Sequence, residues 1–197
     1  MRKIVFAFIG LFLVLPAFNS YASLIINPSD DGYITDSDAV VTTTYVVPTA
    51  SSRGIIEFPL SSITGQIGEA ILSISPYGLP LYDTTVGLYG YESNDGILTV
   101  ADYSAGQSLG IWTLSSSLDF GEDAFFDVTS FLQTVSSSYV GFNLRTSATD
   151  VFSSLEYHDS WHPSQLAVTV VPEPSSLILL TLGMLGTGLF KRKITKK

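Results

Sequence analysis

The chain has 197 residues, no cysteine and a formal net charge of −9 at neutral pH. That length allows one domain with end segments, and the domain must fold on its hydrophobic core without disulfides. Residues 24–171 hold seventeen of the eighteen Asp and Glu but only two cations, Arg53 and Arg145, so this stretch carries −15 and contains no lysine. A surface this acidic repels a phosphate backbone and argues against nucleic acid as a partner.

The amino end opens Met1-Arg2-Lys3, continues through the apolar run Ile4–Phe18 and reaches Ser20-Tyr21-Ala22. A charged start, an apolar middle and small residues before the cut form a signal peptide over residues 1–22. Signal peptidase is expected to cleave between Ala22 and Ser23. The competing reading is an uncleaved anchor, but Pro16 interrupts an apolar run that is already short for a membrane span.

From residue 23 to 170 short apolar alternations are broken by Gly, Pro, Asn, Asp and Ser. Ile56, Phe58 and Leu60 share a face, as do Leu72 with Ile74 and Val86 with Leu88. Later come Phe126 with Val128, then Val140, Phe142 and Leu144, then Leu166, Val168 and Val170. Period two with regular turn signals predicts an all-β fold with one buried face per sheet. The expected architecture is a two-sheet antiparallel sandwich of jelly-roll type with nine or ten strands. Helical signal is confined to a short segment from Asp127 to Val135, capped by Asp127 or Thr129, and a turn at Thr99–Tyr103.

Within this domain Asp30, Asp31, Asp36 and Asp38 lie close in sequence and supply hard oxygen ligands for Ca²⁺, although their spacing is not that of an EF-hand. Acidic loops are also the expected background of a domain this negative, so no cofactor is required. His158, Asp159 and His162 invite a zinc reading, but no second cluster completes a tetrahedral site, and a polar loop based on Trp161 explains them. No nucleophile elbow, cysteine nucleophile or phosphate loop is present, and no catalytic residue is assigned. Tyr77, Tyr82, Tyr89 and Tyr91 cluster, with Tyr89 and Tyr91 on one strand face, where they form either a sugar-stacking platform or ordinary sheet packing. Glu156 alternates with Phe152 and is expected to pair with Arg145 or Arg53.

At Val171 the composition changes. Pro172-Glu173-Pro174 lacks two backbone donors and is held extended. The apolar run Leu177–Phe190 follows, about 21 Å long as a helix at 1.5 Å per residue and short of the roughly 30 Å hydrocarbon core. Lys191, Arg192 and Lys193 begin a basic end. Positive flanks on both apolar segments predict a hairpin precursor in the inner membrane, with the domain outside and both termini in the cytoplasm.

The order of Pro172-Glu173-Pro174, hydrophobic segment and basic cluster resembles the PEP-CTERM sorting signal of Gram-negative, biofilm-forming bacteria. That resemblance implies recognition by an exosortase, removal of the tail by a cut in the Pro-Glu-Pro region, and release or attachment at the cell surface or in the extracellular polysaccharide. Arg53-Gly-Ile-Ile-Glu-Phe-Pro-Leu, Ile67-Gly-Glu-Ala-Ile-Leu-Ser-Ile, Phe126-Asp-Val-Thr, Phe152-Ser-Ser-Leu-Glu and Pro163-Ser-Gln-Leu-Ala-Val resemble DNRLRE-type β-sandwich domains, which are similar to carbohydrate-binding modules. The tryptophan-centred motif usual between residues 81 and 118 is missing, with Trp112 its one candidate. The expectation is a non-enzymatic structural or adhesive surface component that binds exopolysaccharide. The alternative is a secreted polysaccharide-active hydrolase.

Overall fold

The alternating apolar positions become strands. The computed structural model describes residues 21–42, 45–76, 83–114, 123–148, 152–153 and 163–171. Its strands are β1 (Ala22–Ile26), β2 (Asp30–Thr35), β3 (Val40–Val41), β4 (Tyr45–Val46), β5 (Ser52–Pro59), β6 (Gln66–Ile74), β7 (Thr84–Ser93), β8 (Gln107–Leu114), β9 (Ala124–Asp127), β10 (Tyr139–Thr146), β11 (Phe152–Ser153) and β12 (Gln165–Val171). A 3₁₀ turn at Val100–Tyr103 and a one-turn helix α1, Thr129–Leu132, complete the described elements.

Two antiparallel sheets form the sandwich, as the periodicity predicts. One has the order β1-β12-β6-β9, the other β3-β2-β5-β10-β7-β8, and β11 pairs with β4 separately. From β5 onward the chain passes repeatedly from one sheet to the other, as jelly rolls do. Each pass carries apolar residues to the space between the sheets. Ile56, Phe58, Val86, Leu88, Val140, Phe142 and Leu144 enter from the six-stranded sheet, and Ala70, Leu72, Ile74, Leu166, Val168 and Val170 from the four-stranded one. Phe58 and Phe142 meet edge to face, 5.9 Å between centroids at 71°, and Phe131 of α1 repeats that geometry on Phe142 at 6.1 Å. Fully burying a side chain of this size is worth roughly 1.5–3 kcal/mol, so this layer carries the fold.

The helix is shorter than the sequence predicts. Asp127 accepts a hydrogen bond from the Thr129 amide at 2.9 Å, and the Thr129 hydroxyl accepts one from the Ala70 amide at 2.9 Å, which staples the turn to β6. It ends because Thr134 bonds back to the Phe131 carbonyl, and Ser136 and Ser137 turn to Glu92.

The six-stranded sheet departs from the expectation of one buried face. Ile34, Ile55, Tyr91 and Leu98 form a second, smaller core on its outer side. The cover is the connection between β7 and β8, residues 94–106, which folds back as a strap over β5 and β10. Both strands are therefore buried on their two faces along most of their length.

Candidate functional site

The strap divides the outer face of the six-stranded sheet into a sealed half and an open half. In the sealed half Tyr91 lies over Gly141, its cross-strand partner, where any side chain at 141 would overlap the ring. The Tyr91 hydroxyl thereby reaches Glu57 and donates a hydrogen bond of 2.7 Å, and Ser93 donates another of 2.9 Å to the second carboxylate oxygen. Glu57 has no exposed surface. Burial pushes its pKa up to about 7 against the opposing effect of the Tyr91 and Ser93 hydrogen bonds, with Asp102 and Asp95 adding repulsion. Burial, and then the Glu57 and Asp102 carboxylates, raise the Tyr91 phenol above its ordinary range.

Asn143, also without exposed surface, fastens the strap. Its amide nitrogen donates to the carbonyls of Asp102 at 2.8 Å, Tyr103 at 3.1 Å and Ala105 at 3.4 Å. Its carbonyl oxygen accepts from Nε of Arg145 at 3.2 Å. This network fixes the amide orientation, since a flip would face donor against donor.

In the open half, register brings together residues far apart in sequence. Arg145 stands opposite Gly87, and Gly87 opposite Ile111, while Leu144 opposite Gly54 puts Arg53 beside Arg145. These residues, with Thr85 and Tyr89, line a hollow of about 490 Å³. Both cations of residues 24–171 thus meet at one place. The Arg145 guanidinium lies 3.8 Å from the centroid of Tyr89, and Arg53 lies 5.1 Å from that of Tyr103 on the strap. Nη2 of Arg145 donates to the Ala105 carbonyl at 2.6 Å. Partial burial and the nearby Arg53 lower the Arg145 pKa, opposed by Tyr89 and Tyr103, but a guanidinium remains charged at neutral pH. Among the described residues the groups that shift this pKa are Tyr89, Arg53 and Tyr103. The described residues that line the hollow include two cations and no carboxylate, and the geometry suits an oxyanion ligand.

Of the two readings of the tyrosines, packing within the sheet holds for those described. Tyr91 is interior, because Gly141 leaves room for its ring and Glu57 gives its hydroxyl a partner. Tyr89 is half-buried, and its ring seats Arg145 rather than standing free for a sugar. Tyr77, Tyr82, Glu156, His158, Asp159, Trp161 and His162 lie outside the described residues. Trp112 packs edge to face on Phe126 at 5.5 Å.

The four aspartates do not converge. Asp30 and Asp31 begin β2, and Asp36 and Asp38 follow its other end, on the order of 20 Å away at about 3.3 Å per residue, so they share no single ion. Asp30 accepts from the Leu98 amide at 2.9 Å, Asp31 is buried, and Asp38 occupies the β2–β3 turn with φ 63°. Among the described residues no group of three His, Cys, Asp or Glu is placed to hold a metal. A second hollow of about 530 Å³ is bordered by Gly90, Gly106, Phe131 and Glu92. There the Glu92 carboxylate already accepts bonds from Ser136 and Ser137, which hold its pKa below the usual carboxylate range.

The sequence beyond this face carries a sorting signal. Strand β12 ends at Val171, and Pro172 cannot continue its ladder. Residues 170–193 match the PEP-CTERM protein-sorting motif. With that motif the protein is an exported substrate of an exosortase, processed at the membrane. Pro172, Glu173, Pro174, the run Leu177–Phe190 and Lys191–Lys193 all lie in the matched segment and outside the described residues. Met1 to Ser20 also lie outside them, whereas Ala22 and Ser23 open β1. Among the described residues no helix is long and apolar enough to cross a membrane. A search of curated proteins finds no match to the chain. The likeness of residues 53–170 to DNRLRE-type domains rests on the quoted motifs alone.

What the sequence reading missed is the buried Glu57 and the meeting of the two arginines. A signal for the first was present, since Glu57 stands between Ile55-Ile56 and Phe58 in a strand with no polar neighbour. For the second, the scarcity of cations in an acidic domain was the clue, but only register shows that they meet.

Proposed function

We propose that this exosortase substrate is a non-enzymatic structural or adhesive component of the cell surface or extracellular matrix that binds exopolysaccharide. The observation that carries the reading is the open hollow of Arg53, Arg145 and Tyr89 on the outer sheet face. Its volume lies within the range of small-ligand sites, about 300–1,000 Å³. Its polar groups are held in place before any ligand arrives, which reduces the ordering cost of binding.

A hydrolase needs two accessible carboxylates flanking a scissile bond. Glu57 and Asp102 converge on the Tyr91 hydroxyl, but both are buried, Glu57 beneath the strap and Asp102 within it. This favours binding over hydrolysis. The test is a glycan-binding assay with the full chain in detergent, run beside a reducing-sugar release assay. Binding without release supports the proposal. Release of sugar from a bound polysaccharide would replace it with the hydrolase.

A further inference from the structure

We infer that the hollow selects an acidic polysaccharide, whose carboxylate or sulfate oxygens are held jointly by Arg53 and Arg145. This rests on the polysaccharide-binding reading and names the chemistry of its ligand.

Residues 24–171 spend only two cations against seventeen carboxylates, yet the fold brings those two side by side. Adjacent like charges repel, so the arrangement is costly unless something compensates. Among the described residues the compensation at Arg145 is aromatic and neutral: the Tyr89 face, the Asn143 carbonyl oxygen and the Ala105 carbonyl. Those contacts use two of the five guanidinium hydrogens and fix the plane of the group. Among the described residues no acceptor takes the others, and a planar fork facing the hollow matches a carboxylate or sulfate in paired hydrogen bonds. Gly87, without a side chain, leaves the floor beside Arg145 clear, and exposed Ile111 supplies an apolar wall for the carbon face of a sugar ring.

A long anionic polymer is repelled by the rest of the domain. Screening extends over about 10 Å at 0.1 M salt, so this repulsion weakens with added salt before the local pairing does. Moderate salt therefore strengthens binding at first, opposite to a uniformly basic site.

The full chain in detergent is titrated with polygalacturonate, with its fully methyl-esterified and hence neutral form, and with dextran sulfate beside neutral dextran. Binding of the anionic polymers with loss of about tenfold or more on neutralisation is expected, as charge-assisted pairs are among the stronger hydrogen bonds. Polygalacturonate against dextran sulfate then separates the carboxylate from the sulfate. Arg145→Gln and Arg53→Gln are expected to reduce affinity to a similar extent. Ile111→Glu changes an exposed side chain, leaves thermal unfolding unaltered and is expected to abolish anionic binding by placing a like charge in the hollow. Equal binding of acidic and neutral polymers overturns the anion preference while leaving the polysaccharide reading in place. No binding by any polymer overturns both.

Discussion

The carbonyl oxygen of Asn143 accepts a hydrogen bond from Nε of Arg145, while the same side chain donates to the carbonyls of Asp102, Tyr103 and Ala105. One amide thus ties the strap to the sheet and orients the cation of the open hollow. Replacing it by Ala leaves buried carbonyls without their donor, a cost of about 1–3 kcal/mol for each group that finds no water. Asn143→Ala is therefore expected to lower the melting temperature and to weaken ligand binding together. Asn143→Asp, which retains the acceptor but loses the donor, should unfasten the strap while retaining a partner for Arg145. Protease susceptibility within residues 94–106 distinguishes the variants from wild type, and unchanged cleavage would remove Asn143 from this role.

Glu57 makes stability depend on pH in a definite direction. Its folded pKa is raised to about 7 from 4.5, chiefly by burial, so the folded state binds the proton more tightly than the unfolded chain. The favourable contribution is complete below about pH 4.5 and is lost as pH rises through about 7, a change on the order of 3 kcal/mol at 1.36 kcal/mol per pH unit. Glu57→Gln, which mimics the protonated acid, should gain stability relative to wild type at pH 8 and lose that advantage at pH 5. Denaturant unfolding of both proteins at the two pH values measures it. A difference that does not vary with pH would contradict the assignment. Asp127, exposed and holding the Thr129 amide and hydroxyl, has a lowered pKa and acts in the opposite sense, its contribution lost as pH falls.

Much of the inner core was legible in sequence because it obeys a local rule. Val140, Phe142 and Leu144 alternate with Gly141 and Asn143, and all three enter the space between the sheets. The outer face was not legible, for physical reasons that are non-local. Thr99–Tyr103 reads as an ordinary turn, and the role of residues 94–106 as a cover depends on Asn143, some forty positions later. Tyr91 looks like an exposed aromatic until Gly141 is placed beneath it. Asp30, Asp31, Asp36 and Asp38 look like a cluster in sequence, but an extended strand converts five or six residues into most of the length of the sheet. The sorting signal was legible throughout, since its order is read along the chain and needs no tertiary contact.

Gly141 should be intolerant of any side chain. Gly141→Ala drives a methyl group into the Tyr91 ring, and moving the ring breaks its bond to Glu57. Overpacking of this kind costs about 1–3 kcal/mol, and the lost buried hydrogen bond adds to it. Tyr91→Phe in the same background separates the terms, because it removes the bond without the clash. Chemical denaturation is expected to rank Gly141→Ala below Tyr91→Phe.

The sorting motif yields a prediction independent of the domain. Replacing Pro172 and Glu173 by Ala should leave export intact but block exosortase processing, so that a precursor heavier by the tail accumulates in the membrane. A reporter joined after Lys197 is expected to be active only in the cytoplasm, as the positive flank requires. Immunoblotting of membrane and medium fractions measures the first, and a periplasmic reporter signal would contradict the second.

The most direct measurement is a crystal structure of the chain with an oligogalacturonate. A carboxylate within hydrogen-bond distance of both the Arg53 and Arg145 guanidiniums, with a sugar ring against Ile111, is the expected result. An oligosaccharide bound elsewhere on the domain, with the hollow left to water, would contradict the assignment of this face.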